Sequence, residues 1–127
     1  MEILSSRVLL RPRDLERSLA FYESTLGLAV YREWGEGRNR GVVFFLGGGL
    51  LEVSGSSAEP PSAAVRLFLQ VRDLHAAREH LAAYDVEIEE EPEVKPWGLF
   101  EMVARDPDGV ALVFVEVPPH HPLRRRQ

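Results

Sequence analysis

Two stretches of the chain repeat one pattern of apolar and polar positions. They are Arg7-Val8-Leu9-Leu10-Arg11-Pro12-Arg13-Asp14-Leu15 and Arg66-Leu67-Phe68-Leu69-Gln70-Val71-Arg72-Asp73-Leu74. In the first, Val8, Leu10 and Pro12 alternate with Arg7, Leu9 and Arg11; in the second, Leu67 and Leu69 alternate with Arg66, Phe68 and Gln70. A period of two marks a strand whose two faces meet different surroundings. Each stretch then reaches an aspartate, whose short carboxylate accepts the free N–H groups of a first helical turn and opposes the helix dipole. A helix is therefore predicted after both Asp14 and Asp73. Behind Asp14 the apolar residues Leu15, Leu19, Tyr22 and Leu26 recur at helical spacing, and Gly27 supplies the left-handed stop. Behind Asp73 the apolar stripe is Leu74, Ala77, Leu81 and Tyr84, with Asp85 near the stop. Three strand-like runs follow each helix, 28–34, 42–47 and 50–54 in the first copy and 86–94, 100–104 and 110–117 in the second. Gly47-Gly48-Gly49 and Asp106-Pro107-Asp108-Gly109 supply the residues that tight reversals require.

The order β-α-β-β-β, given twice, places the chain in the α+β class. One domain is expected over 1–127: a first module at 3–54, a linker rich in Gly, Ser and Pro at 55–63, a second module at 64–117 and a tail at 118–127. A module of about 55 residues leaves one sheet face uncovered, so the two sheets are expected to pair, within one chain or between the copies of a homodimer. The result would be a curved, cup-shaped mixed sheet with the helices outside. Its concave side is where a small ligand would lie. By alternation that side carries Arg7, Leu9, Arg11, Leu50, Glu52, Ser54, Arg66, Phe68, Gln70, Ala111, Val113 and Val115, while Val8, Leu10, Leu67, Leu69 and Leu112 pack under the helices.

Composition narrows the chemistry. The chain of 127 residues has no cysteine, which removes thiol catalysis, disulfides and thiolate metal sites and fits a reducing compartment. A net charge of −5, with Arg124-Arg125-Arg126 as the basic cluster, argues against a nucleic-acid partner. No apolar run is long enough to span a bilayer, so a cytoplasmic protein with no membrane partner is expected. The acidic run Glu87, Glu89, Glu90, Glu91 and Glu93 reads as a solvated strand edge, with Val86, Ile88 and Val94 turned inward. Phe44, Phe45 and Phe100 read as buried strand residues. Trp34, before Gly35-Glu36-Gly37, and Trp97, opening the last hairpin, could each stack on a planar ligand, with core packing as the other use of Trp97.

The segment from Asp14 to Leu28, with Asp14-Leu15, Phe21-Tyr22 and Leu26-Gly27-Leu28 at fixed spacing, resembles the helix signature of the vicinal-oxygen-chelate superfamily. That group includes glyoxalases, bleomycin-resistance proteins and extradiol dioxygenases. The stretch from Pro96 to Met102, followed by Asp106-Pro107-Asp108-Gly109, resembles the closing hairpin of its bleomycin-resistance-like members. The resemblance covers nearly the whole chain. It implies paired βαβββ modules, commonly a homodimer, and in the enzymes a divalent metal on four side chains. The positions corresponding to those four ligands are Arg7, Glu52, Arg66 and Val113. Arginine stays protonated and has no lone pair to offer, and valine has no donor atom, so only Glu52 could bind an ion. Glu116 should face the other side of its strand, His75 and His80 belong to the second helix, and His120 and His121 lie in the tail.

The expected function is therefore metal-free, cofactor-free binding of a small aromatic or anionic molecule, as in sequestration of an antibiotic or metabolite. Ligand contacts fall to Arg7, Leu9, Arg11, Trp34, Glu52, Arg66, Phe68, Gln70, Trp97 and Val113, with two guanidinium groups placed symmetrically about Glu52. Arg7–Glu52 as a purely structural ion pair is the plainer reading. The rival function is enzymatic: a lyase, isomerase or dioxygenase holding a divalent metal through Glu52 and other partners, or a metal-free reaction with Glu52 as general base. A structural or regulatory dimer is the third reading.

Overall fold

In a computed structural model, which describes residues 1–123, the chain divides into two compact units, one up to Pro61 and the other from Ser62. The arginine cluster at 124–126 lies outside the described residues.

The first unit begins with strand β1 (Val8–Leu10), which leads to Asp14. The Asp14 carboxylate accepts from the Arg17 amide at 3.1 Å and so opens helix α1 (Leu15–Ala20). The expected single α-helix is not kept: Phe21–Thr25 forms a π-helical turn, with the Leu26 amide donating to the Phe21 carbonyl. The wider turn brings both Phe21 and Tyr22 into the core, where a straight α-helix would bury one stripe. Gly27, at φ +69°, then ends the helix, and the Leu28 amide reaches back to the Tyr22 carbonyl. Strands β2 (Val30–Trp34), β3 (Gly41–Leu46) and β4 (Gly49–Ser54) complete a mixed sheet in the order β1-β4-β3-β2, with β1 parallel to β4. Register sets Val42 and Phe44 beside Val53 and Leu51 on the face where Phe44 meets the ring of Tyr22. All five side chains are fully buried. Val8, expected beneath the helix, keeps 38% exposure because its strand is the sheet edge.

The second unit repeats the plan with β5 (Arg66–Gln70), α2 (Leu74–Ala83), β6 (Ile88–Val94), β7 (Phe100–Arg105) and β8 (Ala111–Glu116), in the order β5-β8-β7-β6. Asp73 caps α2 through the Ala76 amide, and Glu116 accepts from the Leu74 amide at 2.9 Å. Glu116 thus turns toward the helix. Leu74 and Leu81 are buried against the sheet, but Tyr84, expected on the same stripe, is half exposed against His80. Asp85 adopts φ +60°, the conformation that Gly27 supplies in the first unit. A left-handed backbone costs an L-residue about 1–2 kcal/mol, part of which glycine returns as unfolded-chain entropy. Asp85→Gly is therefore expected to raise stability by about 0.5–1 kcal/mol in urea unfolding.

Edge strand β6 differs from its predicted pattern in two ways. Register shifts on either side of Glu90 break the alternation and turn Val94 outward, at 67% exposure. The acidic side chains are also paired rather than simply solvated: Glu89 with Arg105, Glu91 with Arg78, and Glu90 and Glu93 with Lys95. Hydrogen bonds from Arg78 hold the Glu91 carboxyl below its ordinary range. Its stabilising effect is thus present above the unfolded-chain value and fades as pH falls through the folded one. Among the described residues no helix is long and apolar enough to cross a membrane.

Candidate functional site

In the first unit, the sheet face away from α1 is read directly from strand register. Leu9 stands beside Glu52, Glu52 beside Val43, and Val43 beside Arg32. Ser54 stands beside Gly41, which in turn stands beside Trp34. Glu52 lies at the middle of this face, with its side chain only 15% exposed. It accepts from the Ser54 hydroxyl at 2.7 Å and from the Arg7 guanidinium at 3.1 Å. Trp34 can lie flat there because Gly41 has no side chain: a Cβ at that position would stand 2.3 Å from the indole. The Arg32 guanidinium covers the indole at 5.4 Å from its centroid. Arg11 extends past the end of β1, exposed, with its guanidinium against Gly55.

The corresponding face of the second unit carries Arg66, Phe68 and Gln70 on β5 and Ala111, Val113 and Val115 on β8, then Arg105, Val103 and Glu101 on β7. Leu99, Val103, Val113, Val115 and Val117 make its buried apolar floor. Phe68 is 54% exposed. Arg66 reaches Glu90 at 4.0 Å, a partner that the repeat pattern gave no reason to expect. Trp97 is not a core residue: at the tip of the β6–β7 hairpin it is 60% exposed. Its indole N–H donates to Glu101, which is itself buried.

Arg32 and Glu101 are polar residues of these faces that escaped the sequence reading. Arg32 lies on a strand whose alternation is interrupted between Val30 and Arg32, so its face could not be counted from the pattern. Glu101 did leave a signal, as the one charge inside the run Phe100-Glu101-Met102-Val103-Ala104. Phe45, expected to be buried, shares the Glu52 face through Leu50 and is 46% exposed, with its ring edge-on to Tyr31. The tail histidine His121 accepts from the Leu123 amide and lies against Gly98.

A divalent ion needs several oxygen or imidazole donors, and these residues do not fit one. The Glu52 carboxylate is already engaged by a guanidinium and a hydroxyl, while Val113 and its strand neighbours Phe68 and Val103 present only carbon. Among the described residues, no group of three His, Cys, Asp or Glu side chains could hold a metal ion. The first face can instead offer hydrogen bonds from Arg7 and an aromatic surface from Trp34. The second offers apolar floor, the Gln70 amide and the exposed rings of Phe68 and Trp97.

Residues 5–114 match the Glyoxalase/Bleomycin resistance protein/Dioxygenase superfamily. No curated protein matches the sequence. Among solved structures, an antibiotic binding protein from Streptomyces sp. CB03234 superposes with a TM-score of 0.75 at 20% identity, over 92% of this chain and 98% of that one. A superfamily member from Sphaerobacter thermophilus DSM 20745 gives 0.70 at 24% identity, over 91% and 97%. A lactoylglutathione lyase from Agrobacterium tumefaciens gives 0.65 at 17% identity, over 91% and 94%. At these identities the likeness is one of fold, and the fold serves a binding protein and a lyase alike.

Proposed function

Because the chain belongs to the glyoxalase/bleomycin resistance protein/dioxygenase superfamily, we propose that it holds a small aromatic or anionic molecule against its helix-free sheet faces, without a metal and without transforming it. The observation that carries this reading is the engagement of Glu52 by Arg7 at 3.1 Å and Ser54 at 2.7 Å. The one acid among the four expected ligand positions is neutralised by a cation that itself stands at another of them. A bound anion would share that guanidinium, and Arg66 offers the same chemistry on the face of the second unit. The antibiotic-binding neighbour supports sequestration as the biological use. The same reading makes the protein a cytoplasmic homodimer.

Two measurements test it. Naphthoate, an aromatic carboxylate, serves as the probe: at a hundredfold excess over its Kd it is expected to stabilise the native protein by about 2.7 kcal/mol, a rise of several degrees in Tm. Arg7→Ala and Arg66→Ala should lose most of that rise. Elemental analysis of the purified protein is expected to find no stoichiometric divalent ion. An ion present at one per chain and removed by Glu52→Gln would establish the metal-dependent lyase, isomerase or dioxygenase instead.

A further inference from the structure

Around the second sheet the cations at the rim have acidic partners: Arg66 with Glu90, Arg78 with Glu91, Lys95 with Glu93 and Arg105 with Glu89. Glu101 has no such cationic partner among the described residues. It is 7% exposed; Val103, Val113 and Val115 on the same face are apolar, while on β6 it stands beside Glu93, which Lys95 engages. Among the described residues its hydrogen-bond partner is the neutral indole N–H of Trp97, and no salt bridge reaches it. A carboxylate accepts about four hydrogen bonds, so most of its capacity is unused. Among the described residues no side-chain oxygen is both buried and without a partner, so the second Glu101 oxygen reaches solvent at the sheet surface, where an arriving cation can meet it. The second observation is Trp97 itself, a large aromatic left 60% exposed while its N–H edge is tied to the carboxylate. A ring anchored by its edge offers its electron-rich face to a cation or to another ring.

We propose that Glu101 and Trp97 form a recognition pair for a protonated amine carried on an aromatic ring. The ammonium donates to Glu101, and the ring of the ligand stacks on the indole. This rests on the ligand-holding role proposed above and adds the charge of the ligand, which the arginines alone would have made purely anionic.

Calorimetric titration with three probes built on one ring, naphthylmethylamine, naphthalenemethanol and naphthoate, separates the two ideas. The amine is expected to bind about tenfold more tightly than the alcohol, the advantage of one charge-assisted hydrogen bond over a neutral one. Glu101→Gln should abolish that ratio while leaving Tm within about 4 °C of the parent, since an unmatched charge is removed and an acceptor for Trp97 is kept. Trp97→Ala, at a position 60% exposed, should weaken amine and alcohol alike by about tenfold. The proposal is overturned by an amine that fails to bind at millimolar concentration, by a ratio near one in the parent protein, or by a ratio that survives in Glu101→Gln. It is equally overturned by a larger fall in Tm for Glu101→Gln, which would mark a structural charge, or by unchanged binding in Trp97→Ala. If naphthoate binds through Arg7 and Arg66 while the amine ratio is absent, the ligand-holding reading stands and this one falls. An amine ratio that depends on Glu101, with no naphthoate binding, keeps the recognition pair and removes the anion site.

Discussion

Phe44→Ala is expected to remove about 3–5 kcal/mol of stability, whereas Phe45→Ala, one residue further along the same strand, should remove about 1 kcal/mol. Phe44 is fully buried, pairs with Leu51 in the sheet and touches the ring of Tyr22, itself fully buried. Truncation there loses the transfer energy of a benzyl group and leaves a cavity whose walls include β4 and the π-helical turn, neither of which can collapse inward cheaply. Phe45 points to the opposite face, is 46% exposed and has the edge of Tyr31 as its ring partner. Losing it forfeits one aromatic contact and a modest buried area. Against a total stability of about 5–15 kcal/mol for a small domain, the first change approaches the limit of folding. Urea unfolding measures both: the midpoint should drop sharply for Phe44→Ala at unchanged slope and shift little for Phe45→Ala. Equal shifts would mean that both rings are buried in solution and that the aromatic pair at the Glu52 face does not exist.

That contrast marks how far the pattern of residues could be read. The repeated strand, the capping aspartates and the two reversals were legible because each rests on a local rule: alternation, a carboxylate at a free helix end, glycine or proline at a turn. Both units accordingly have the expected element order. The faces of β4, β5 and β8 were also legible, since those strands run without interruption, and Glu116 turns toward α2 as counting by twos requires. Reading failed where the period changes. The π-helical turn buries Phe21 along with Tyr22, and the irregularities in β2 and β6 reset which side Arg32 and Val94 occupy. Val43 and Phe45 share one face yet differ completely in exposure, a difference that comes from what covers the sheet at each point rather than from the strand itself.

For the site, residue type was informative and pairing was not. Arg7 and Val113 in place of donor side chains could be read from the chain, because the chemistry of a guanidinium or an isopropyl group does not depend on its surroundings. Which acid each arginine meets depends on side chains brought together from distant strands. Arg7 finds Glu52 across a parallel pair, while its repeat counterpart Arg66 finds Glu90 on the edge strand. Two positions equivalent in sequence therefore serve different electrostatic surroundings. The divergence follows from Val113 standing where the first module has Glu52.

Gly35→Ala is expected to cost about 3 kcal/mol and to dismantle the first face along with its turn, while Gly37→Ala, two residues away, should cost about 1 kcal/mol. Both glycines have positive φ, +71° and +56°, so both pay for forcing an L-residue into the left-handed region. They differ in what a methyl group would meet. At Gly37 nothing lies within 4 Å, but at Gly35 the added carbon would stand 2.2 Å from the Asn39 carbonyl oxygen and 2.9 Å from its carbon. Those are backbone atoms fixed by the hydrogen bonds from Asn39 to Glu36 and from Arg40 to Gly37, so no rotamer change can relieve the clash. The turn has to open. It joins Trp34 at the end of β2 to Gly41 at the start of β3, and the close fit of the indole over Gly41 depends on that geometry. Opening it should release Trp34, red-shift its fluorescence in a Trp97→Phe background and weaken naphthoate binding together with stability. Because the φ penalty is common to both variants, the difference of about 2 kcal/mol between them isolates the steric part. Equal midpoints for the two would show that the turn yields freely, and Trp34 would then lack the rigid support that a stacking surface needs.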